Sequence, residues 1–221
     1  MVHPRLRIGA AHTTEQMSPR RRDEAGTTAA RAQRRAELLE TAAETFAARG
    51  YSATTVREVA DAAGMLGGSL YYHFDSKESM VDEILSVFLT ELWEAYDEIL
   101  GREDGAKETL EALISASFDS IDRHRPAVVI YQNETKHLGT NDRFSYLQDS
   151  RKRFRRMWVD LLEKGIAEGD FRADLDPPVI YRFLRDTVWV AASWYQPQGR
   201  LTSEEIARQY LAMVLEGIQR R

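Results

Sequence analysis

The chain has 221 residues, of which 43% are apolar and 29% charged, a composition that excludes global disorder. It has no cysteine, which excludes disulfides, thiolate zinc sites and cysteine nucleophiles. The net charge of −5 excludes a uniform polyanion binder, yet residues 1–35 hold eight Arg against three acids. A basic front on an acidic body points to a front that meets an anion. No apolar run approaches the ~18–20 residues that span a bilayer, and no signal-peptide core opens the chain. The expected location is the cytoplasm, with no membrane partner.

Residues 1–27 combine scattered Arg with Pro4, Pro19, Gly9 and Gly26 and show no periodic apolar face. They are expected to form a disordered basic arm. From Ala29 the period turns helical, with Leu38, Leu39, Ala42, Ala43, Phe46 and Ala47 in one stripe. Gly50 is a natural stop. Thr55 followed by Glu58 makes a capping box that opens a second helix ending at Gly64. A short third helix is expected over Leu66–Tyr72. Asp75-Ser76-Lys77-Glu78 then caps a long helix carrying Met80, Ile84, Val87, Phe88 and Leu92.

Gly101–Gly105 breaks the chain, and a further helix runs from Leu110 through Ile121. Arg125-Pro126 reads as a boundary, followed by a short helix over Val128–Leu138 and a long one over Arg143–Glu168. Asp176-Pro177-Pro178 opens a helix over 178–195. Thr202 and Glu205 form another capping box that opens the last helix, 203–219. No alternating strand pattern appears. The fold class is all-α, about nine helices: an arm (1–27), a helix-turn-helix domain (28–75), and a ligand-binding and dimerisation domain (76–221).

Two short helices joined through Gly64 have helix-turn-helix spacing, in which the second helix enters a major groove. Leu66-Gly67-Gly68-Ser69-Leu70-Tyr71-Tyr72-His73-Phe74 is poor core material. Two adjacent Gly weaken a helix by roughly 1 kcal/mol each. Such a helix suits close backbone approach to another surface, and Ser69, Tyr71, Tyr72 and His73 supply donors for phosphates or base edges.

The stretch from Arg35-Ala36-Glu37-Leu38-Leu39 through Phe46-Ala47-Ala48-Arg49-Gly50-Tyr51, Thr54 to Gly64, and Gly68 to Phe74 with Ser76-Lys77-Glu78 resembles the TetR family of bacterial repressors. The resemblance implies a homodimer binding a palindromic double-stranded DNA operator, with no enzyme activity, no cofactor and no metal. By position it places Arg34, Thr54, Thr55, Arg57, Gly67, Gly68, Ser69, Tyr71, Tyr72 and His73 at the DNA, with Lys77 clamping a phosphate. Of Tyr71 and Tyr72, one is expected to be partly core and one to face DNA. Leu66 stands where many relatives have a polar residue and Gly67 where many have Lys, which shifts recognition toward DNA shape.

Farther on, Tyr131-Gln132-Asn133-Glu134, Met157-Trp158-Val159-Asp160, Gly165 to Gly169 and Tyr181 to Val190 with Trp194-Tyr195 are similar to one subgroup. These are the actinobacterial repressors of genes degrading the last two rings of cholesterol. The resemblance implies an effector, the coenzyme A thioester of hexahydroindanedione propionate, held by Arg185 and Trp189. The subgroup's third cationic position is Ser193 here. The alternative is a TetR-type regulator answering to another acyl-CoA, a fatty acid or a hydrophobic compound.

Arg182, Arg185 and Trp189 at i, i+3 and i+7 are expected to share a face, joined in the ligand set by Tyr131, Trp158 and Arg153. The run Arg151-Lys152-Arg153-Phe154-Arg155-Arg156 is a candidate receiver of phosphates, the other reading being a solvated helical face paired to the acidic body; on the first reading, charge reversal of Arg153 and Arg155 weakens acyl-CoA binding. The last two helices carry apolar residues on several sides, which predicts dimerisation through them. An enzyme is the weaker reading. His3, His12, His73, His124 and His137 form no HExxH, and there is no phosphate loop or nucleophile elbow.

Overall fold

The computed structural model describes residues 19–219, with side chains from Ala29 onward. It divides into two compact units, residues 1–37 and 38–221. The expected arm over 1–18 lies outside the described residues. The first helix, α1 (Pro19–Arg49), begins ten residues before the expected Ala29. The reason is local: Pro19 suits a first-turn position, and Arg20 to Ala25 are mostly strong helix formers.

In the second unit, α1 supplies Leu38, Ala42 and Phe46 to a small core closed by Val59, Ala60, Leu70 and Phe74. Helix α2 (Val56–Ala62) starts at the capping box: Thr55 accepts from the Glu58 amide, and the Glu58 carboxylate accepts from the Thr55 amide at 2.8 Å. Gly64 ends it at φ +67, a left-handed turn that costs glycine nothing. Helix α3 (Gly67–Leu70) is one turn long, shorter than the expected Leu66–Tyr72, because Gly67-Gly68 hold a helix weakly.

Helix α4 (Lys77–Leu100) is capped by Ser76, paired with Ser79. It buries Met80, Ile84, Phe88, Leu92 and Tyr96 at four-residue spacing, one continuous inner stripe. Helix α5 (Ala106–Leu138) does not end at Pro126. The expected boundary is instead a bend, with His124 at φ −124 and ψ 28. Proline removes one N–H and crowds the carbonyl four residues back, while the flanking apolar residues Ile121, Ala127 and Val128 stay buried and hold both halves in one rod.

A 3-10 turn (Asp142–Phe144) precedes α6 (Ser145–Glu168), so α6 begins just after the expected Arg143. Helix α7 (Pro177–Trp189), capped by Asp176, and the short α8 (Ala191–Trp194) replace the single expected helix. Thr187 donates to the Phe183 carbonyl at 2.6 Å and Ser193 to the Val190 carbonyl at 2.7 Å, and such back-bonding loosens and bends a helix. Helix α9 (Ser203–Ile218) opens at the Thr202–Glu205 capping box. The described residues form no strands, only an isolated Phe171–Gln219 bridge.

At Gly165 on α6, an added Cβ would collide with the Phe171 ring and press on Ala106 at 3.0 Å. Gly165→Ala is expected to cost about 1–3 kcal/mol by overpacking, read as a fall in melting temperature. An unchanged melting temperature would show that Phe171 moves aside freely.

Candidate functional site

Two surfaces stand out in the second unit: the outer face of α2–α3 and a cavity among α4–α7. On the first, Leu66 and Tyr72 are each 81% exposed and Tyr71 is 56% exposed. Both tyrosines therefore face out, a correction to the expected division between core and surface. Leu70 and Phe74 do the packing instead, because a one-turn helix buries only one side. A Cβ at Gly67 or Gly68 would meet open space, so no internal packing demands glycine there. Ser69 is half-buried, and Arg57 is exposed with Asp61 at 3.9 Å.

Several candidates have internal work. Thr54 is 1% exposed, and its hydroxyl donates to the Gly50 carbonyl at 2.8 Å; it is corrected to a turn-holding residue. Thr55 is exposed, but its hydroxyl serves the α2 cap. The ammonium of Lys77 donates to the carbonyls of Tyr51 and Thr54, both at 2.9 Å. Its expected phosphate clamp is corrected to a strap on the α1–α2 turn, since those two turn carbonyls accept its protons. His73 is half-buried and its Nδ1 is buried without a hydrogen bond. Arg34, in the first unit, pairs with Glu37 at 3.1 Å.

The cavity measures about 270 Å³. Phe88 and Leu92 of α4 form part of its wall, with Phe154 and Trp158 of α6, all four buried. Phe88 meets Tyr131 edge-on at 5.9 Å and Trp189 at 6.2 Å. Helix α5 contributes Tyr131, Gln132, Thr135 and Lys136; α7 contributes Tyr181, Arg185, Asp186 and Trp189. Arg151 completes the lining from α6. It sits three and seven residues before Phe154 and Trp158, hence on the same face.

Of the sequence-derived ligand set, Tyr131, Trp158, Arg185 and Trp189 converge here. Arg182 does not: it is exposed and outside the lining, because a three-residue step turns it about 60° from Arg185. Arg153 also points elsewhere, its guanidinium 3.8 Å from the Trp93 ring centroid and 2.5 Å from Asp97. Two residues along a helix is a rotation of about 200°, so Arg153 and Arg151 occupy opposite sides. Sequence reasoning had Arg151 only as one member of the basic run and passed over Lys136 and the α4 wall; the Arg151–Phe154–Trp158 spacing was the available signal for Arg151.

Arg185 donates to Asp186 at 2.7 Å. The same bond raises the guanidinium's pKa and lowers that of the carboxyl, so much of this cation's charge is already answered. By contrast, neither Arg151 nor Lys136 forms an ion pair with a described residue. Burial pushes the Tyr131 hydroxyl up to about 12, with the charge of Arg151 opposing. No three His, Asp or Glu side chains among the described residues are grouped to hold a metal. No described helix is long and apolar enough to cross a membrane.

Residues 38–84 match the family described as bacterial regulatory proteins, tetR family, and residues 103–218 match the tetracyclin repressor-like C-terminal domain. The chain is 52% identical over 191 residues to the HTH-type transcriptional repressor KstR2 of Rhodococcus jostii, covering 86% of this chain and 94% of that one. The structure of the ketosteroid transcriptional regulator KstR2 of Mycobacterium tuberculosis is similar at a TM-score of 0.82 and 53% identity, over 85% of this chain and 96% of the other. AibR, solved with isovaleryl coenzyme A and operator DNA, is similar at a TM-score of 0.70 and 26% identity, over 81% and 97%. These relatives are regulators and not enzymes. The chain is a TetR-family transcriptional repressor, homologous to the KstR2 repressors of steroid catabolism.

Proposed function

We propose that this repressor acts as a cytoplasmic homodimer and leaves its palindromic operator when a coenzyme A thioester of a sterol ring-C/D catabolite fills the α4–α7 cavity. The observation that carries the ligand class is the polarity of the lining. Buried Phe88, Leu92, Phe154 and Trp158 suit an apolar ring body, while exposed Lys136 and Arg151 suit an anion. A volume of about 270 Å³ is small beside the ~300–1,000 Å³ of ordinary ligand pockets. It suits the acyl rings and leaves the phosphates at the cationic rim. The kinship to the ketosteroid regulator KstR2 supports a steroid-derived ring body, which we assign to hexahydroindanedione propionyl-CoA, and the complex of AibR with isovaleryl coenzyme A supports the thioester class.

On the head, Arg57, Gly67, Gly68, Ser69, Tyr71 and Tyr72 meet the DNA, with glycine allowing close backbone approach. The two reading helices of the dimer then lie about 34–36 Å apart. Operator affinity is expected to fall linearly with salt on a log–log plot; a flat response would remove the DNA role from this face.

The ligand assignment is tested by titrating the operator complex with the ring thioester, free coenzyme A and long-chain acyl-CoAs. Release by the ring thioester at the lowest concentration is expected. Equal release by the ring thioester and the long-chain acyl-CoAs, with none by free coenzyme A, would leave a general acyl-CoA sensor; equal release by all three would leave a sensor of coenzyme A itself, and release by none would discard the class.

A further inference from the structure

Tyr51 occupies the turn between α1 and α2 and is only 5% exposed. Its ring meets Phe46 edge-on at 5.4 Å, and its hydroxyl donates to Glu78 at 3.1 Å. Its carbonyl accepts from Lys77, whose ammonium also stands 4.3 Å over the ring. These contacts tie the turn to the start of α4. The amide N–H reaches farther: it donates to Oε1 of Glu134 on α5 at 3.2 Å, 83 residues along the chain. Gly50, at φ +85, offers no side chain next to that carboxylate; a Cβ there would lie 3.6 Å from the same oxygen.

Glu134 stands on the same two turns of α5 as Tyr131, Gln132, Thr135 and Lys136, which line the cavity. That segment follows the bend at His124, where Pro126 leaves one backbone bond of the rod unmade. A displacement of the cavity wall therefore reaches Glu134 within one turn of the same rod.

We propose that Glu134 is the positioning residue through which the cavity wall sets the place of the DNA-binding head. A ligand that shifts the 127–138 half of α5 shifts the Tyr51 turn, and α2 begins five residues later. The stimulus rests on the ligand-responsive reading above, whereas the link itself is the Glu134–Tyr51 bond. Coupling of this kind is reciprocal: what lowers operator affinity in the liganded protein lowers ligand affinity in the bound one.

The test compares wild type, Glu134→Ala and Glu134→Gln by anisotropy of a labelled operator, with hexahydroindanedione propionyl-CoA as probe. In wild type, saturating thioester is expected to weaken operator binding at least tenfold, about 1.4 kcal/mol of coupling. In Glu134→Ala that ratio is expected to fall below threefold, while the thioester still binds the DNA-free protein. Glu134→Gln, which keeps an acceptor oxygen, is expected to recover part of it. A dimeric, normally helical Glu134→Ala protein with the full tenfold response would overturn the proposal.

A second arm needs no thioester. Filling the cavity with Leu92→Trp, or with Thr135→Leu if the first does not fold, is expected to weaken operator binding only where Glu134 is present. Equal weakening with and without Glu134, or none in either, would also overturn it. If the thioester leaves wild type untouched, the effector assignment fails and this second arm decides Glu134 separately.

Discussion

Replacing Phe183 and Trp194 together with Asp is expected to yield a folded monomer whose operator affinity is at least a hundredfold lower. Phe183 is 62% and Trp194 57% exposed, and Val179 and Val190 join them on the surface of α7–α8. Their spacings of four, seven and four residues make one stripe, opposite the face that buries Tyr181, Leu184 and Val188 in the chain's own core. Met213 adds an exposed side chain from α9. A large exposed apolar stripe on a helix already packed on its other side is a protein interface, and a two-fold axis makes it self-complementary. Charges placed there have no partner on desolvation. A monomer also loses the gain from binding two half-sites at once, typically 10²–10⁴ in affinity. Sedimentation and operator titration give the two readings; a dimer that survives both substitutions would move the interface elsewhere.

The second large effect is expected at the rim. Arg151→Glu with Lys136→Glu is expected to weaken acyl-CoA binding by on the order of a hundredfold, since each charge-assisted hydrogen bond contributes about 1.5–3 kcal/mol. Both residues line the cavity and neither has an ion-pair partner among the described residues, so reversal breaks no pair that holds the fold. Operator binding without effector is expected to change little. Reversing Arg153 instead breaks its contacts with Asp97 and Trp93 and is expected to lower stability more than ligand affinity. Isothermal titration and melting curves separate the two. Equal loss of thioester affinity at Arg151 and Arg153 would mean that the whole basic run acts as a diffuse field.

The amino-acid sequence alone determined the features that depend on neighbours along the chain. The capping boxes at Thr55 and Thr202 open α2 and α9 where expected. The apolar stripe of α4 and the stop at Gly64 follow from periodicity and glycine's conformational range. The motif spanning Arg35 to Glu78 likewise carried the family. Helix phase placed Arg185 and Trp189 on one wall, because four residues bring a side chain nearly back to the same angle.

What only the tertiary structure decided was which of several similar groups faces inward. Arg151 and Arg153 are alike in composition and differ by 200° of rotation, and only the packing of α6 against α4 and α5 says which one meets the cavity. Thr54 and Lys77 carry donors typical of DNA contact, but nearby carbonyls claim them. The bond from Tyr51 to Glu134 spans 83 residues and has no trace in any local pattern. Periodicity reports the angle of a side chain around its own helix; the neighbour that waits at that angle is set by how the helices pack.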